Sequence, residues 1–356
     1  MDLKLISKLE ERMDEGTLRS LSCFEGMTDF FSNDYLGLAK MSFEDTQATG
    51  STGSRLISGT SEESLRCEQF LAEHFLAEAA LVFNSGYDAN LGFFGSVPQK
   101  GDTIIYDQFI HASVRDGIKL SNAKAFSFKH NSVEDLEKKI QLSEGTVYVA
   151  IESLYSMDGD LAPLKEIASL CEQYEAYLIV DEAHAAGVLG KGLSIELGLC
   201  HLTFARLITF GKAYGAHGAA VLGSEQLKEY LINFARSFIY TTALPPGTYQ
   251  WIQYNCSQSI MEFQVQLQQN IQLFRENCFP EYLCSDARSP IQIIRVGEIH
   301  RTKVLAEVLH QNGFAVKPIF SPTVPKGSEC IRICLHAFNT EEQILEICKL
   351  LNQHFK

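Results

Sequence analysis

The chain has 356 residues, of which 46% are hydrophobic and 21% charged, and these ordinary fractions exclude a disordered or collagen-like chain. With 30 Lys and Arg against 44 Asp and Glu, the formal net charge is −14, which argues against general binding to the phosphate backbone of nucleic acid. A length of roughly 150 residues per domain gives about two domains with room for a large core.

The first residues and the cysteines indicate the compartment. The N-terminus carries no long apolar run, so no signal peptide is expected, and Leu3, Ile6 and Leu9 recur at helical spacing, which predicts an amphipathic helix. No stretch approaches the roughly 20 apolar residues of a membrane span. The ten cysteines include no C-x-x-C pair, and Cys330 and Cys334 alternate as in a strand, so we expect buried free thiols and no metal site. A cytoplasmic location is therefore expected.

The middle of the chain alternates short apolar runs with helical patterns. A helix is predicted from about 163 to 175, and strands are predicted within 79–86, 102–107, 124–130, 146–153, 176–184, 205–212 and 218–224. Such alternation predicts an α/β fold with a mostly parallel seven-stranded sheet covered by helices on both faces. Ligands in these sheets bind beyond the carboxyl ends of the strands, so the polar residues that follow each strand are the candidates for a site.

Beyond residue 245 the pattern changes, and a smaller α+β domain is predicted. Its expected elements are a long helix at roughly 247–277, runs at 290–296, 314–319 and 330–335, and helices near 301–312 and 340–354. The predicted division is an N-terminal arm with a helix at 1–45, a large domain at 46–245 and a small domain at 246–356.

Three residues that end or follow predicted strands have the chemistry needed to bind a cofactor with a carbonyl group. Lys212, between Gly211 and Gly215, can form a Schiff base, although a single lysine in a loop is more often a surface residue. Asp181 ends a strand, where it either caps the next helix or pairs with a cation such as a protonated pyridine nitrogen. His184, three residues later, could bond the phenolic oxygen of such a ring, although a lone histidine is more often structural.

A second group of residues fits a phosphate and an aromatic ring. The amides of Gly86 and Tyr87 open a helix after a strand and form an anion site, to which Thr209 could add a hydroxyl. The imidazole of His111 could stack on a ring, and the hydroxyl of Ser156 could touch a ring oxygen. None of these signals is specific singly, but together they supply what pyridoxal phosphate (PLP) requires.

The chain resembles the α-oxoamine synthases, which are fold-type I PLP enzymes that condense an amino acid with an acyl thioester. The resemblance covers nearly the whole chain and is carried by these blocks: FFSNDYLGLAK (30–40), GSTGSRLISGTSEE (50–63), VFNSGYDANLG (82–92), DQFIHASVRDG (107–117), SLYSMDGDLAPL (153–164), LIVDEAHAAGVLG (178–190), TFGKAYGAHGAAV (209–221), FIYTTALPP (238–246) and SPTVPKGSECIRICL (321–335).

The resemblance implies a role for each matching residue. Lys212 would carry the cofactor, Asp181 would pair with the pyridine nitrogen, and His111 would stack on the ring. The remaining cofactor contacts implied are Ser85, Gly86, Tyr87, Ser156, His184 and Thr209, with Thr241 or Thr242 reaching the cofactor of a neighbouring subunit in a homodimer. The substrate contacts implied are Arg19, Asn33, Thr323 and Arg332, the last of which would clamp the amino-acid carboxylate.

Within the family, three motifs are most similar to the branch that condenses L-alanine with a pimeloyl thioester in biotin synthesis. They are FSNDYLGLA, SMDGDLAPL and SPIQIIRVG. The acyl carrier, coenzyme A or acyl carrier protein, stays open. Ser64 stands where many members have histidine, so acyl-chain handling can differ here. The alternatives are a member that condenses glycine with acetyl-CoA or serine with a long acyl thioester, a PLP aminotransferase or lyase, and a non-catalytic binding protein. A dehydrogenase is excluded because no G-x-G-x-x-G follows the early strands.

Overall fold

The computed structural model describes residues 3–18, 24–41, 50–278, 283–321 and 323–354. Short 3-10 helices span Leu38–Lys40 and Cys200–Leu202. The α-helices are α1 (Leu3–Asp14), α2 (Glu62–His74), α3 (Gly86–Ser96), α4 (Ala112–Leu120), α5 (Val133–Gln141), α6 (Leu164–Gln173), α7 (Leu193–Glu196), α8 (Glu225–Phe234), α9 (Arg236–Ile239), α10 (Pro246–Ser257), α11 (Met261–Asn277), α12 (Ile299–Gln311) and α13 (Glu341–His354).

The strands follow the apolar runs of the sequence closely. They are β1 (Thr28–Asp29), β2 (Ala79–Phe83), β3 (Thr103–Asp107), β4 (Lys124–Phe128), β5 (Val147–Glu152), β6 (Tyr177–Asp181), β7 (Ala205–Thr209), β8 (Ala219–Gly223), β9 (Ile291–Arg295), β10 (Phe314–Ala315), β11 (Lys317–Ile319) and β12 (Cys330–Cys334). Each of the seven strands predicted in the middle of the chain is present.

The chain forms two compact units. The larger unit contains 33–156 and 160–265, and the smaller contains 1–32, 157–159 and 266–356. This division differs from the predicted bounds because α10 packs against α2 in the larger unit, so residues 246–265 cluster there.

The larger unit is built on a seven-stranded sheet with the order β2-β8-β7-β6-β5-β3-β4. Strands β4, β3, β5, β6 and β7 are parallel to one another, whereas β8 runs antiparallel to both β2 and β7. The prediction of a mostly parallel sheet is confirmed. Because β8 is reversed between them, β2 and β7 point the same way and end at the same edge.

Both faces of this sheet are apolar, since the strands are covered on both sides. On one face, Leu81 and Leu207 pack with Phe93 of α3 and Leu231 of α8. On the other face, Val82 and Ile208 lie in a cluster with buried residues of α2 and α10. Alternate residues of one strand thus enter two separate cores, which fixes the strand register and holds the polar strand ends in place.

The smaller unit contains an antiparallel sheet with the order β11-β12-β9 and a parallel pair of β1 with β10. Two predicted elements are interrupted. The helix expected at 247–277 is split into α10 and α11 because Gln258 is extended, with ψ at 150°. The strand expected at 314–319 is split at Val316 into β10 and β11, which pair with different strands.

The cysteines behave as expected. Nine of them lie in the described part of the chain; all nine are free thiols, and seven are buried, including Cys330 and Cys334 on β12. Within the described residues, no helix has the length and apolar character needed to traverse a bilayer.

Candidate active site

The carboxyl edge of the large sheet gathers polar side chains from four parallel strands. Asp107, Glu152, Asp181 and Thr209 are the last residues of β3, β5, β6 and β7, and Glu152 lies opposite Asp181 in the strand register. Loops from this edge carry the predicted residues His111, Ser156, His184 and Lys212. The fold therefore brings together residues that lie more than 100 positions apart in the sequence.

Asp181 is a buried carboxylate held by neutral donors. It is 7% exposed, its Oδ2 accepts a hydrogen bond of 2.9 Å from Nδ2 of Asn90, and its Oδ1 accepts one of 3.0 Å from the amide of Ala183. A buried negative charge with two neutral donors is a site for a cationic group.

Lys212 lies in a tight turn after β7. The turn requires Gly215, whose φ is +59° and at which a Cβ atom would lie 2.1 Å from the amide nitrogen of Ala39. The half-buried Lys212 is within electrostatic range of both Glu152 and His111. The lysine, the carboxylates and the imidazole thus form one group.

The predicted anion site is a helix N-terminus. Ser85 is the N-cap of α3, and its hydroxyl accepts a hydrogen bond of 3.1 Å from the amide of Asp88. The first amides of a helix have no acceptor within the helix, and here these are the amides of Gly86 and Tyr87. A Cβ atom at Gly86 would lie 3.7 Å from Cβ of Thr209, so the two predicted phosphate contacts face each other.

Thr241 and Thr242 lie beside the same turn within one chain. The amide of Asn84 donates to Oγ1 of Thr241 at 3.1 Å and to the carbonyl oxygen of Thr242 at 2.8 Å. Asn84 directly precedes Ser85, so this amide fixes the threonine segment next to the anion site. The predicted contact with a neighbouring subunit stays a prediction.

His184 is positioned by Tyr35, a residue that the sequence analysis did not single out. Oη of Tyr35 lies 2.8 Å from Nδ1 of His184 and donates to Oδ1 of Asn33 at 3.0 Å. His184 is 5% exposed and Tyr35 is fully buried. The predicted ring contact His184 and the predicted substrate contact Asn33 are therefore joined by one phenol.

His130 is a second residue that the sequence analysis missed. Its Nδ1 lies 2.9 Å from Asp107 and its Nε2 lies 2.7 Å from Asp160. Burial alone would lower the pKa of His130, but the hydrogen bonds to the two carboxylates outweigh it and raise the pKa to about 10. The charged imidazole joins the loop before His111 to the loop that follows Ser156.

Glu152 is a third residue that sequence reasoning missed. It is 3% exposed; its Oε2 accepts a hydrogen bond of 3.1 Å from the amide of Ser156, and its Oε1 has no hydrogen-bond partner in the described residues. Burial, together with the negative charge of Asp181, raises the pKa of Glu152 to about 8. Its position directly after an apolar run, like that of Asp181, was the available signal.

Glu152→Gln is expected to change how stability depends on pH. The folded-state pKa of Glu152 is raised, so between about 4.5 and about 8 the folded protein holds a proton that the unfolded chain has lost. The contribution of protonated Glu152 to the free energy of unfolding is therefore complete below about pH 4.5 and is lost as the pH rises to about 8. Melting temperatures of the cofactor-free protein from pH 5 to 8 should fall more steeply for the wild type than for Glu152→Gln. Glu166→Gln, an exposed control on α6, should follow the wild type; a Glu152→Gln variant with the same slope as wild type would contradict the assignment.

The predicted substrate contacts, unlike the predicted cofactor contacts, are not confined to the larger unit. Arg332 lies in β12 of the smaller unit, is 8% exposed and donates from Nη1 to Sγ of Cys334 at 2.8 Å. Thr323 is an exposed residue of the same unit, and Arg19 lies outside the described residues. In the larger unit, buried Ser64 completes a capping box with Ser61 at the start of α2.

Known proteins match this chain along nearly its whole length. The model of the family "Aminotransferase class I and II" matches residues 25–351. An 8-amino-7-oxononanoate synthase from Emericella nidulans is 39% identical, with 94% of this chain and 91% of that protein covered.

Two solved structures are similar in fold. The 8-amino-7-oxononanoate synthase from Francisella tularensis is 30% identical over 93% of this chain and 98% of its own, with a TM-score of 0.79. A serine palmitoyltransferase variant from S. paucimobilis, solved with a bound PLP–myriocin aldimine, is 26% identical over 99% of this chain and 98% of its own, with a TM-score of 0.90. Family model, relatives and fold agree with the expected fold-type I architecture. The chain belongs to the class I and II aminotransferase family and, within it, to the α-oxoamine synthases.

Proposed function

We propose that this protein is a PLP-dependent acyltransferase that condenses L-alanine with a pimeloyl thioester. The products are 8-amino-7-oxononanoate, CO2 and the free carrier thiol, and the reaction belongs to biotin synthesis. The 39% identity to the Emericella nidulans synthase over nearly the full length supports this choice of reaction.

One observation of the structure carries the proposal. The carboxylate of Asp181 is buried, is bonded among the described residues only by the neutral amides of Asn90 and Ala183, and lies at the sheet edge from which the Lys212 turn departs. Such a carboxylate fits the protonated nitrogen of a pyridine ring, and Lys212 fits the aldehyde of PLP.

The surrounding residues fit the rest of the cofactor. The space between Gly86 and Thr209 stays open because residue 86 has no side chain, and the α3 N-terminus supplies amides for a phosphate. We assign Ser85, Gly86, Tyr87 and Thr209 to the phosphate, His111 to the ring face, and Ser156 and His184 to the ring oxygen. When bound, PLP supplies an electron sink for the carbanion at Cα of the amino acid.

The chain's own residues then orient the substrate and move its protons. The amine of Lys212 is neutral when it takes the proton from Cα of alanine, and in its protonated form it later returns a proton to the product. Asp181 holds a proton on the ring nitrogen by its negative charge. Arg332 binds the alanine carboxylate in a bidentate contact, and His111 positions the carbonyl oxygen of the thioester.

The decisive experiment is an assay of the purified protein with L-alanine and pimeloyl-CoA, with 8-amino-7-oxononanoate detected by mass. A second reaction with pimeloyl-acyl carrier protein identifies the preferred carrier. Release of CO2 and free thiol in equal amounts is expected. Transfer of the amino group to a keto acid, without CO2, would instead show an aminotransferase.

A serine-condensing enzyme is the second candidate, since the serine palmitoyltransferase has the higher TM-score of the two structures compared. The assay therefore includes serine with a long-chain acyl-CoA and glycine with acetyl-CoA. We expect L-alanine to be preferred. A kcat/KM higher with serine than with alanine would overturn the substrate assignment and leave the reaction class intact.

We further propose that the enzyme acts as a homodimer in the cytoplasm. Thr242 and Tyr240 are exposed in the single chain, next to Asn84 and the proposed phosphate site, as expected for a segment that contributes to a neighbour's cofactor. The free thiols fit a reducing compartment.

A further inference from the structure

Two buried side chains connect the proposed stacking histidine to the proposed pyridine carboxylate. Nδ2 of Asn90 donates to Oδ2 of Asp181 at 2.9 Å and to Oγ of Ser113 at 3.0 Å. Oγ of Ser113 lies 2.7 Å from Nδ1 of His111. Asn90 is 2% exposed and Ser113 is fully buried, so these bonds are shielded from water. We call this series, His111–Ser113–Asn90–Asp181, the relay.

The packing of two helices makes the relay possible. Asn90 lies on α3, and Ser113 lies in the first turn of α4. At Gly117 of α4, a Cβ atom would lie only 2.9 Å from the backbone oxygen of Asn90. The glycine therefore permits the close approach that brings the amide within reach of the hydroxyl.

The number of donor protons along the relay fixes which group donates and which accepts in each hydrogen bond. Both protons of the Asn90 amide are used, one on Asp181 and one on Ser113, so Asp181 acts as an acceptor, which is the role of an ionised carboxylate. Ser113 accepts from Asn90 and can donate its single hydroxyl proton to Nδ1 of His111. The backbone amide of Ser113 also donates to this Nδ1, at 3.3 Å. Two donors facing one ring nitrogen require that nitrogen to be unprotonated.

We propose that Asn90 and Ser113 are positioning residues that hold Asp181 as a carboxylate and His111 as the neutral tautomer with its proton on Nε2. The proposal rests on the proposed function, since it describes how the same site is prepared. A neutral ring stacks on a protonated pyridine without repulsion between like charges. Nε2 has no hydrogen-bond partner in the described residues, and His111 is exposed, so its proton is free to bind the carbonyl oxygen of the acyl thioester.

Burial lowers the pKa of His111 most, while the charges around the ring oppose one another. The titratable groups that face it are Asp181 from the end of β6, Lys212 from the turn after β7, Asp116 from its own helix α4, and Glu152 from the end of β5. Asp181 and Asp116 favour the imidazolium form, whereas Lys212 disfavours it. The donor hydrogen bond of Ser113 adds to the effect of Lys212 and favours the neutral ring.

The first test is a nitrogen NMR spectrum of the full-length holoenzyme labelled with 15N-histidine, in which His111→Asn identifies the signals. The wild type should show an unprotonated Nδ1 and a protonated Nε2. Ser113→Ala should raise the titration midpoint of His111 by about half to one pH unit, because the neutral form loses a donor. Ser113→Thr, which keeps the hydroxyl, should restore the midpoint.

The matched control for the serine is Ser194→Ala, since Ser194 is equally buried but its Oγ has no hydrogen-bond partner in the described residues. It should leave the His111 midpoint unchanged. An Nδ1-protonated His111 in the wild type, or an unchanged midpoint in Ser113→Ala, would overturn the proposal.

The second test addresses the other end of the relay. Asn90→Ala should raise the Kd for PLP by roughly tenfold, because Asp181 loses a hydrogen bond to its charged form. Asn270→Ala removes another buried amide, one that lies in the smaller unit and donates to the backbone oxygens of His336 and Asn339, and should leave this Kd near the wild-type value. Equal changes in both variants would show that Asn90 has only a structural role. Both tests are independent of turnover, so a wild type with the expected tautomer but no 8-amino-7-oxononanoate would refute the proposed function alone.

Discussion

Lys212→Ala is expected to abolish turnover, with a loss of at least about 10⁴-fold in kcat. The substitution removes both the amine that binds the cofactor aldehyde and the base that takes the Cα proton of alanine. Mass spectrometry after borohydride reduction should find the cofactor attached to residue 212 in the wild type and no attachment in the variant.

Further variants separate the charge of Lys212 from its chemistry. Lys212→Arg keeps a positive charge, but a guanidinium is not deprotonated in proteins, so this variant should be as inactive as the alanine variant. A small primary amine added to Lys212→Ala should restore part of the activity by replacing the base. Lys191→Ala removes an exposed lysine of the same unit and should be fully active. A Lys212→Ala enzyme with wild-type turnover and a reducible cofactor linkage would refute the assignment.

Asp181→Asn is expected to reduce kcat by roughly 10²- to 10³-fold, the scale seen when one preorganised electrostatic group is removed from an active site. Asparagine has nearly the same shape but no charge, so the ring nitrogen is no longer held protonated. The absorbance spectrum of the bound cofactor and the Kd for PLP should both change, which a purely structural effect on folding would not produce.

A conservative variant and a control at a distant aspartate complete this experiment. Asp181→Glu keeps the charge and should retain more activity than Asp181→Asn. Asp102→Asn changes an aspartate that precedes β3 at the opposite edge of the sheet and should leave kcat and the cofactor spectrum unchanged. Equal kcat values for Asp181→Asn and the wild type would show that Asp181 does not carry the proposed charge.

The strands of the large sheet could be predicted because each arises from a continuous run of apolar residues. Runs such as AALVF at 79–83 and YLIVD at 177–181 are continuous apolar segments, which is the pattern of strands buried on both faces. The two interruptions, at Gln258 and Val316, were not predictable, because the apolar pattern continues across both and only pairing and packing decide where an element ends.

Of the proposed site residues, those directly after apolar runs could be found from the sequence. Asp181 ends a strand, Lys212 and His111 lie in the loops after strands, and a parallel sheet places such residues at one edge. Their chemical types then indicated the cofactor, and the ordered motifs indicated the family.

The tertiary structure alone decided how these residues are held. Asn90 and Ser113 lie within helices, and no spacing in the sequence shows that Gly117 lets these helices approach until one amide bonds both a serine and Asp181. The charge state of Glu152 depends in the same way on burial and on Asp181 in the adjacent strand. The sequence determined which groups stand at the ends of the strands, because strand formation follows local hydrophobic pattern. Hydrogen-bond partners and protonation states depend on desolvation and on atoms from distant parts of the chain, which only the packed fold brings together.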